Sequence, residues 1–314
     1  MKIINKLFED NDKISELLRE KKLQKINLMT VNGESIDGNK RKVFFEKVNS
    51  LLKYSNQEKG TLLVRGESRK NLKKKLNSND PEFELLFLIG DKAKNYIREK
   101  VKPSHPIQDI HSANKEVAEW IFDKYSSINN GPFNSDSFTK KNKANFINHV
   151  SVDQELIDYY LYGLQTKDSE LLVNFISSST KPDVALHTGS NDKIIILFWI
   201  PKNLNDLYIS QKKIGSLQKK ITNRSLPELK DSFYPEEDEY AIKGAIFPHF
   251  ILCAFDLKNE CIIINPWLYK DKHDWKENGL QVDQSNFLEF AKTTNYSKVI
   301  YLWSDGNIKN ENVS

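Results

Sequence analysis

Lys193-Ile-Ile-Ile-Leu-Phe-Trp-Ile-Pro201 is the most apolar run of the chain and leaves it few ways to fold. It is rich in β-branched and aromatic side chains, which suit a pleated, packed surface. An unbroken apolar run of this length reads as a central strand, covered on both faces. It falls well short of the roughly 20 residues that a membrane-crossing helix needs. The part of the chain before it carries helix-like patterns. Leu7, Ile14, Leu17, Leu18 and Leu23 recur among Lys and Glu, and Val43–Leu52, Phe83–Ile89 and Val117–Tyr125 repeat apolar residues at spacings of three and four. The expectation is an α+β chain.

Breaks in the patterns outline the order. Val31–Gly38 holds two glycines and turn-forming side chains, and marks a turn. Thr61–Val64 is a short β-prone run, closed by Arg65 and Gly66. A helix over Leu156–Gly163 is expected to end at that glycine. Strands are expected at Leu171–Ile176, Leu207–Ser210, Ile246–Phe255, Glu260–Asn265 and Val299–Trp303, with a basic helix over Gln211–Lys220 and a frayed polar tail from Ser304.

Of 314 residues, 39% are hydrophobic, enough for a real core, and 47 basic side chains nearly balance 43 acidic ones. A net charge of +4 points to no partner class, so local clusters matter more. Arg69–Lys75 is the densest basic cluster; a solvated helix start explains it better than nucleic-acid binding, since it has no interleaved aromatics. Cys253 and Cys261 lie in apolar runs and read as buried free thiols. Two cysteines and six scattered histidines offer no metal-ligand spacing. His105, His111 and His149 have no partner in the sequence and read as structural or exposed. Nothing resembles a signal peptide or a membrane span, so a cytoplasmic protein with no membrane partner is expected.

Three features carry chemistry. Arg65, followed by Gly66, suits an anion clamp, with an ordinary strand-end arginine as the plain alternative. Ser177, Ser178 and Ser179 follow Phe175-Ile176. Glu236-Glu-Asp-Glu239 places four carboxylates in a row, which repel unless some are held for a purpose; alone, they read as a solvated acidic turn.

Taken in order, these features resemble the arginine–serine–glutamate branch of the NAD-dependent mono-ADP-ribosyltransferases, the group that includes bacterial toxins and phage transferases. Val184-Ala185, the run to Pro201, Leu207–Ser210 and the Tyr234–Phe247 stretch, similar to the family's target-recognition loop, extend the resemblance over about residues 55–270. It implies a split β-sheet core with a helical N-terminal section (1–54), a catalytic domain (55–305) carrying a helical insertion at about 81–165, and a tail (306–314). It also implies NAD as substrate and no metal. Cleaving the nicotinamide–ribose bond develops positive charge on the ribose, so a carboxylate is needed there. The resemblance gives that role to Glu239 and the handling of the acceptor to Glu237. Arg65, with Gly66, would hold a phosphate or the nicotinamide-side ribose. Ser177 would orient glutamate and ribose, Ser178 stands where threonine is usual, and Ser179 would support the strand start. Phe175 and Phe247 are candidates to stack on nicotinamide, with core packing as the alternative use. Two departures stand out. The interval from Arg65 to Ser177 is long, with Arg98 as a less attractive substitute, and Glu236 with Asp238 forms an alternative acidic pair.

The acceptor implied is a macromolecule, protein arginine or RNA/DNA, in a toxin, effector or phage-defence setting with an antitoxin or regulatory protein as partner. The same residues also suit an NAD glycohydrolase, and a non-catalytic scaffold remains the rival from another class.

Overall fold

The computed structural model describes residues 2–56, 60–76, 86–87, 96–97, 113–127, 138–167, 175–187, 192–201, 208–229, 235–243, 245–246, 251–265, 298–302 and 308–312. Helices α1 (Ile3–Glu9) and α2 (Ile14–Leu17) lead to strand β1 (Asn27–Met29), helix α3 (Gly38–Asn56), strand β2 (Gly60–Ser68) and helix α4 (Arg69–Leu76). Then come β3 (Tyr96–Ile97) and helices α5 (Lys115–Ser127), α6 (Lys140–Val150) and α7 (Gln154–Lys167). Strands β4 (Phe175–Ser179), β5 (Lys193–Pro201) and β6 (Tyr208–Ser210) precede helix α8 (Gln211–Asn223). The rest is β7 (Glu239–Lys243), β8 (Ala245–Ile246), β9 (Ile251–Asp256), β10 (Cys261–Ile264), β11 (Lys298–Leu302) and β12 (Ile308–Asn312). The chain divides into two units: Met1–Ile97, Ser178–Asp206 and Ala245–Ser314 form the first, Arg98–Ser177 and Leu207–Gly244 the second.

In the first unit the apolar run is a central strand. β5 pairs antiparallel with β2 from Gly60↔Pro201 to Ser68↔Lys193, and on its other side with β9. The strand order there is β1-β10-β9-β5-β2, followed by the end of β4, whose Ser179 pairs with Val64. β1 runs parallel to β10 and the other pairings are antiparallel, so the sheet is mixed. Successive side chains alternate between faces. Leu62, Val64, Ile195, Leu197, Trp199, Cys253 and Phe255 join Ile4, Leu7, Phe8, Ile14, Phe44, Val48 and Leu51 from α1, α2 and α3 in one core. Each fully buried side chain of this kind contributes about 1.5–3 kcal/mol. Leu63, Arg65 and Glu67 take the opposite face of β2, with Ile194 and Ile196 beside them on β5. Two short antiparallel pairs, β3–β8 and β11–β12, complete this unit's described strands.

The second unit is a helical group around an aromatic core, with the antiparallel pair β6–β7 at one side. Tyr125 stacks on Phe138 at 4.5 Å, and Phe146 lies 4.8 Å from Tyr160. The phenols are buried with their polar ends satisfied, as a buried hydroxyl requires. Tyr125 Oη donates to the Tyr160 carbonyl at 2.7 Å, and Tyr160 Oη to the Pro227 carbonyl at 2.7 Å. Ser210 caps α8, its hydroxyl accepting the Lys213 N–H. Strand order here is β6-β7 and then the start of β4.

The structure corrects several expectations. β2 does not end at Arg65-Gly66: β5 is long enough to pair with all nine of its residues, so both lie inside the strand. The serines lie within β4, not after a strand. The N-terminal section is not helical throughout, because Asn27–Met29 is drawn into the sheet as a parallel partner of β10. Helix α7 continues past Gly163 to Lys167. That glycine is there for space: a Cβ would lie 2.3 Å from Leu229 Cδ1 and 2.6 Å from Tyr125 Oη. Part of the tail, Ile308–Asn312, is a strand against β11. The expected strand over Ile246–Phe255 is two strands, β8 and β9. Of the helix expected over Phe83–Ile89 only Leu86 and Phe87 are described, both buried. Arg98, His105, His111, Phe247 and Leu171–Asn174 lie outside the described residues. Both cysteines are free and buried, and burial pushes the Cys261 thiol up to about 11. Among the described residues no helix is long and apolar enough to cross a membrane.

Candidate functional site

In the first unit Arg65 sits in the middle of β2, opposite Ile196, with its side chain mostly buried. Residues two apart on a strand share a face. Glu67 therefore lies beside it, and Arg65 Nη2 is 3.6 Å from Glu67 Oε2. Both side chains are poorly exposed, which makes the ion pair costly to break from one side. Gly66 is buried on the other face, opposite Ile195. Ser179 shares the face of its partner Val64, and its hydroxyl accepts the Lys181 N–H at 2.9 Å. Its local bond to the backbone is of the expected kind, but at the end of the strand and not its start. Alternation then puts Ser178 on the face of Arg65. Ser178 is buried, and its hydroxyl has no hydrogen-bond partner among the described residues.

The basic cluster forms α4, and its first residue is not solvated. Arg69 Nη2 lies 2.7 Å from Asp256 Oδ2, and Nε lies 3.1 Å from Asp192 Oδ1. Burial works against the guanidinium charge, but the two carboxylates outweigh it and raise its pKa. Asp256 also accepts the N–H groups of Lys258 and Asn259 at 3.1 Å, which closes the β9–β10 turn.

In the second unit Ser177 opens toward half exposure near the start of β4. Glu236, exposed, and Glu237, half-buried, form a single 3-10 turn, Pro235–Glu237. Asp238 then takes a left-handed backbone conformation, φ 44°, a region that Asp tolerates better than most residues. Glu239 is the first residue of β7 and is buried. The four acids are thus held differently: two on a turn, one at the reversal and one inside the unit. Glu239, Ala241 and Lys243 share one face of β7, and Ala241 belongs to the aromatic core. On α7, Asp158 and Tyr162 stand one turn apart on one face. Tyr162 Oη donates a hydrogen bond to Glu239 Oε2, and Lys243 Nζ pairs with an oxygen of Asp158. Gln154 Nε2 also donates to Asp158, at 3.0 Å. Burial raises the pKa of Asp158, more than Lys243 lowers it. Tyr240, on the other face of β7, has its phenol pushed up to about 12 by burial, then by the charge of Asp238.

The predicted residues thus fall into two groups. Arg65, Gly66, Ser178 and Ser179 belong to the first unit, with Arg65 and Ser178 on one face of neighbouring strands. Ser177, Glu237 and Glu239 belong to the second. Phe175 is fully buried in the second unit's core, 5.8 Å from the ring of Tyr162, which is the packing use. Glu67, Tyr162, Asp158 and Lys243 were not singled out in the sequence. The alternation Arg65-Gly-Glu67 and the Asp158/Tyr162 spacing are visible in it, but nothing marks what they meet.

A cleft of about 490 Å³ in the first unit, lined by Leu7, Lys22, Lys25, Ile26 and Glu260 among others, includes none of the predicted residues. Among the described residues no cluster of His, Cys, Asp or Glu is placed to hold a metal ion.

The fold is α+β with a mixed sheet. Beyond that class, the chain matches no family model, no curated protein and no solved structure.

Proposed function

We propose that the chain is an NAD-dependent mono-ADP-ribosyltransferase acting on a macromolecule, in a toxin, effector or phage-defence setting. One observation carries the assignment. The strands bearing the three motifs are neighbours in pairs: β2 with the end of β4 in the first unit, and the start of β4 with β7 in the second.

In the proposed reaction the bond between the ribose anomeric carbon and the nicotinamide nitrogen breaks. Its electron pair leaves with nicotinamide, which neutralises the pyridinium charge. The acceptor heteroatom forms the new bond to the anomeric carbon and gives up one proton. Glu239 stabilises the cationic ribose. Glu237, half-buried on its turn, takes the acceptor's proton. Arg65 and Ser178, on one face of neighbouring strands, hold a phosphate or ribose oxygen, the guanidinium through its fork and the hydroxyl as a donor. Ser177 supports the ribose. Arginine side chains of protein and RNA or DNA are the acceptor classes that fit, and an antitoxin or regulatory protein is the expected partner.

The burial of Glu239 against Tyr162 and the Arg65–Glu67 pair favour a second reading, a non-catalytic protein in which these groups only brace the fold. Incubation with adenylate-labelled NAD and cell lysate separates the two. Transfer of label to protein or nucleic acid by the wild type, and its loss in Glu239→Ala, supports the transferase. Free ADP-ribose alone indicates a glycohydrolase, and no turnover indicates the non-catalytic protein.

A further inference from the structure

We infer that Tyr162 is a positioning residue for Glu239 and that a two-rung contact between α7 and β7 sets the direction of the carboxylate. This rests on the transferase assignment above. The first rung is the bond from Tyr162 Oη to Glu239 Oε2. The second, one helical turn toward the start of α7 and four residues along β7, is the buried pair Asp158–Lys243. Helix spacing puts Asp158 and Tyr162 on one face, and strand spacing does the same for Lys243 and Glu239, so both contacts join the same two faces. Two contacts on two rigid elements fix both the position of β7 along α7 and the rotation of the Glu239 side chain. A single contact would leave one of these free.

The chemistry follows from which oxygen is engaged. The phenol donates to Oε2, and among the described residues Oε1 takes no hydrogen bond. Oε1 is then the oxygen that meets the ribose. No proton changes hands: Tyr162 donates a hydrogen bond before, during and after the transfer. The phenol engages one oxygen, so the carboxylate keeps a single orientation while charge develops on the ribose.

The test is steady-state kinetics of nicotinamide release from NAD by the full chain. Wild type and Glu239→Gln come first. If the wild type releases no nicotinamide, or Glu239→Gln releases it equally fast, the transferase assignment fails and this inference falls with it. With that established, Tyr162→Phe removes only the hydroxyl. The expected result is a fall in kcat of about ten- to a hundredfold, the value of one hydrogen bond to a charged group, with KM for NAD within about twofold of wild type. An unchanged kcat, or a change confined to KM, overturns the inference and leaves the transferase assignment standing. A double-mutant cycle of Tyr162→Phe and Glu239→Gln, read by urea unfolding, checks the contact independently of activity. Additive effects on the unfolding midpoint would show that the hydroxyl does not reach that carboxylate, and would overturn the inference as well.

Discussion

Replacing Lys243 with methionine removes one half of a buried ion pair and keeps the length of the side chain. The side chains of Lys243 and Asp158 are 4% and 10% exposed, so neither ion is well hydrated. With the ammonium gone, Asp158 keeps the amide of Gln154 as a donor, while Lys213 acts on it from further away. Breaking a buried pair from one side costs about 3–5 kcal/mol. For a chain of this size that lowers the melting temperature by roughly 6–20 °C, at 2–4 °C per kcal/mol. The sign with pH is specific. Asp158 already has a raised pKa in the fold, so its favourable contribution is present below its unfolded value and is lost as pH rises through the folded one. Without Lys243 that loss grows, because the largest offset to burying the charge is gone and only Gln154 and the more distant Lys213 remain. The deficit of Lys243→Met against wild type is therefore small in acid and largest at neutral pH. Thermal melts followed by circular dichroism across this range measure it. A variant that melts within about 2 °C of wild type at neutral pH, or a deficit that does not depend on pH, would refute the buried-pair account.

Two further outcomes are expected. Gly163→Ala improves helix propensity yet destabilises by about 1–3 kcal/mol, because the added methyl meets Leu229 and the Tyr125 hydroxyl; urea midpoints check this, and a neutral or stabilising result would mean the two groups move aside freely. Asp153 holds Lys220 at 2.5 Å and Arg224 at 2.9 Å; burial alone would raise its pKa, but the two cations outweigh it and lower it. Its contribution is present above the ordinary carboxylate pKa and is lost as pH falls through the depressed value, so Asp153→Asn is less stable than wild type by about 1 kcal/mol at neutral pH and equal to it in strong acid.

The parts of the fold that were legible are those where one segment carries its own signal. Ile194–Ile200 is apolar throughout and became the central strand with nothing else needed. Val117–Tyr125 has an unbroken helical face and is the middle of α5. What failed depended on a distant partner. Asn27–Met29 has too few residues to announce a strand and is one only because β10 lies alongside it. Arg65 looked like a strand end because Gly66 follows it, whereas the length of β5 decides where β2 stops. Gly163 looked like a helix terminus, yet Leu229 and Tyr125 are the reason for it. The candidate site divides in the same way. Arg65, the serines and the acids were visible as residue types with chemical use. Tyr162 was not, because a tyrosine in Tyr159-Tyr-Leu-Tyr162 reads as core packing until β7 is beside it.

The central claim is tested most directly by nicotinamide release together with transfer of label from adenylate-labelled NAD to macromolecules of a cell lysate, comparing wild type with Glu239→Gln and Arg65→Lys. The account predicts measurable release and transfer by the wild type. It also predicts a fall of about a hundredfold or more in Glu239→Gln, where the transition-state charge loses its carboxylate, and a raised KM in Arg65→Lys, where a point charge replaces the fork. Absence of release or of transfer by the wild type, or release that Glu239→Gln leaves intact, would contradict it.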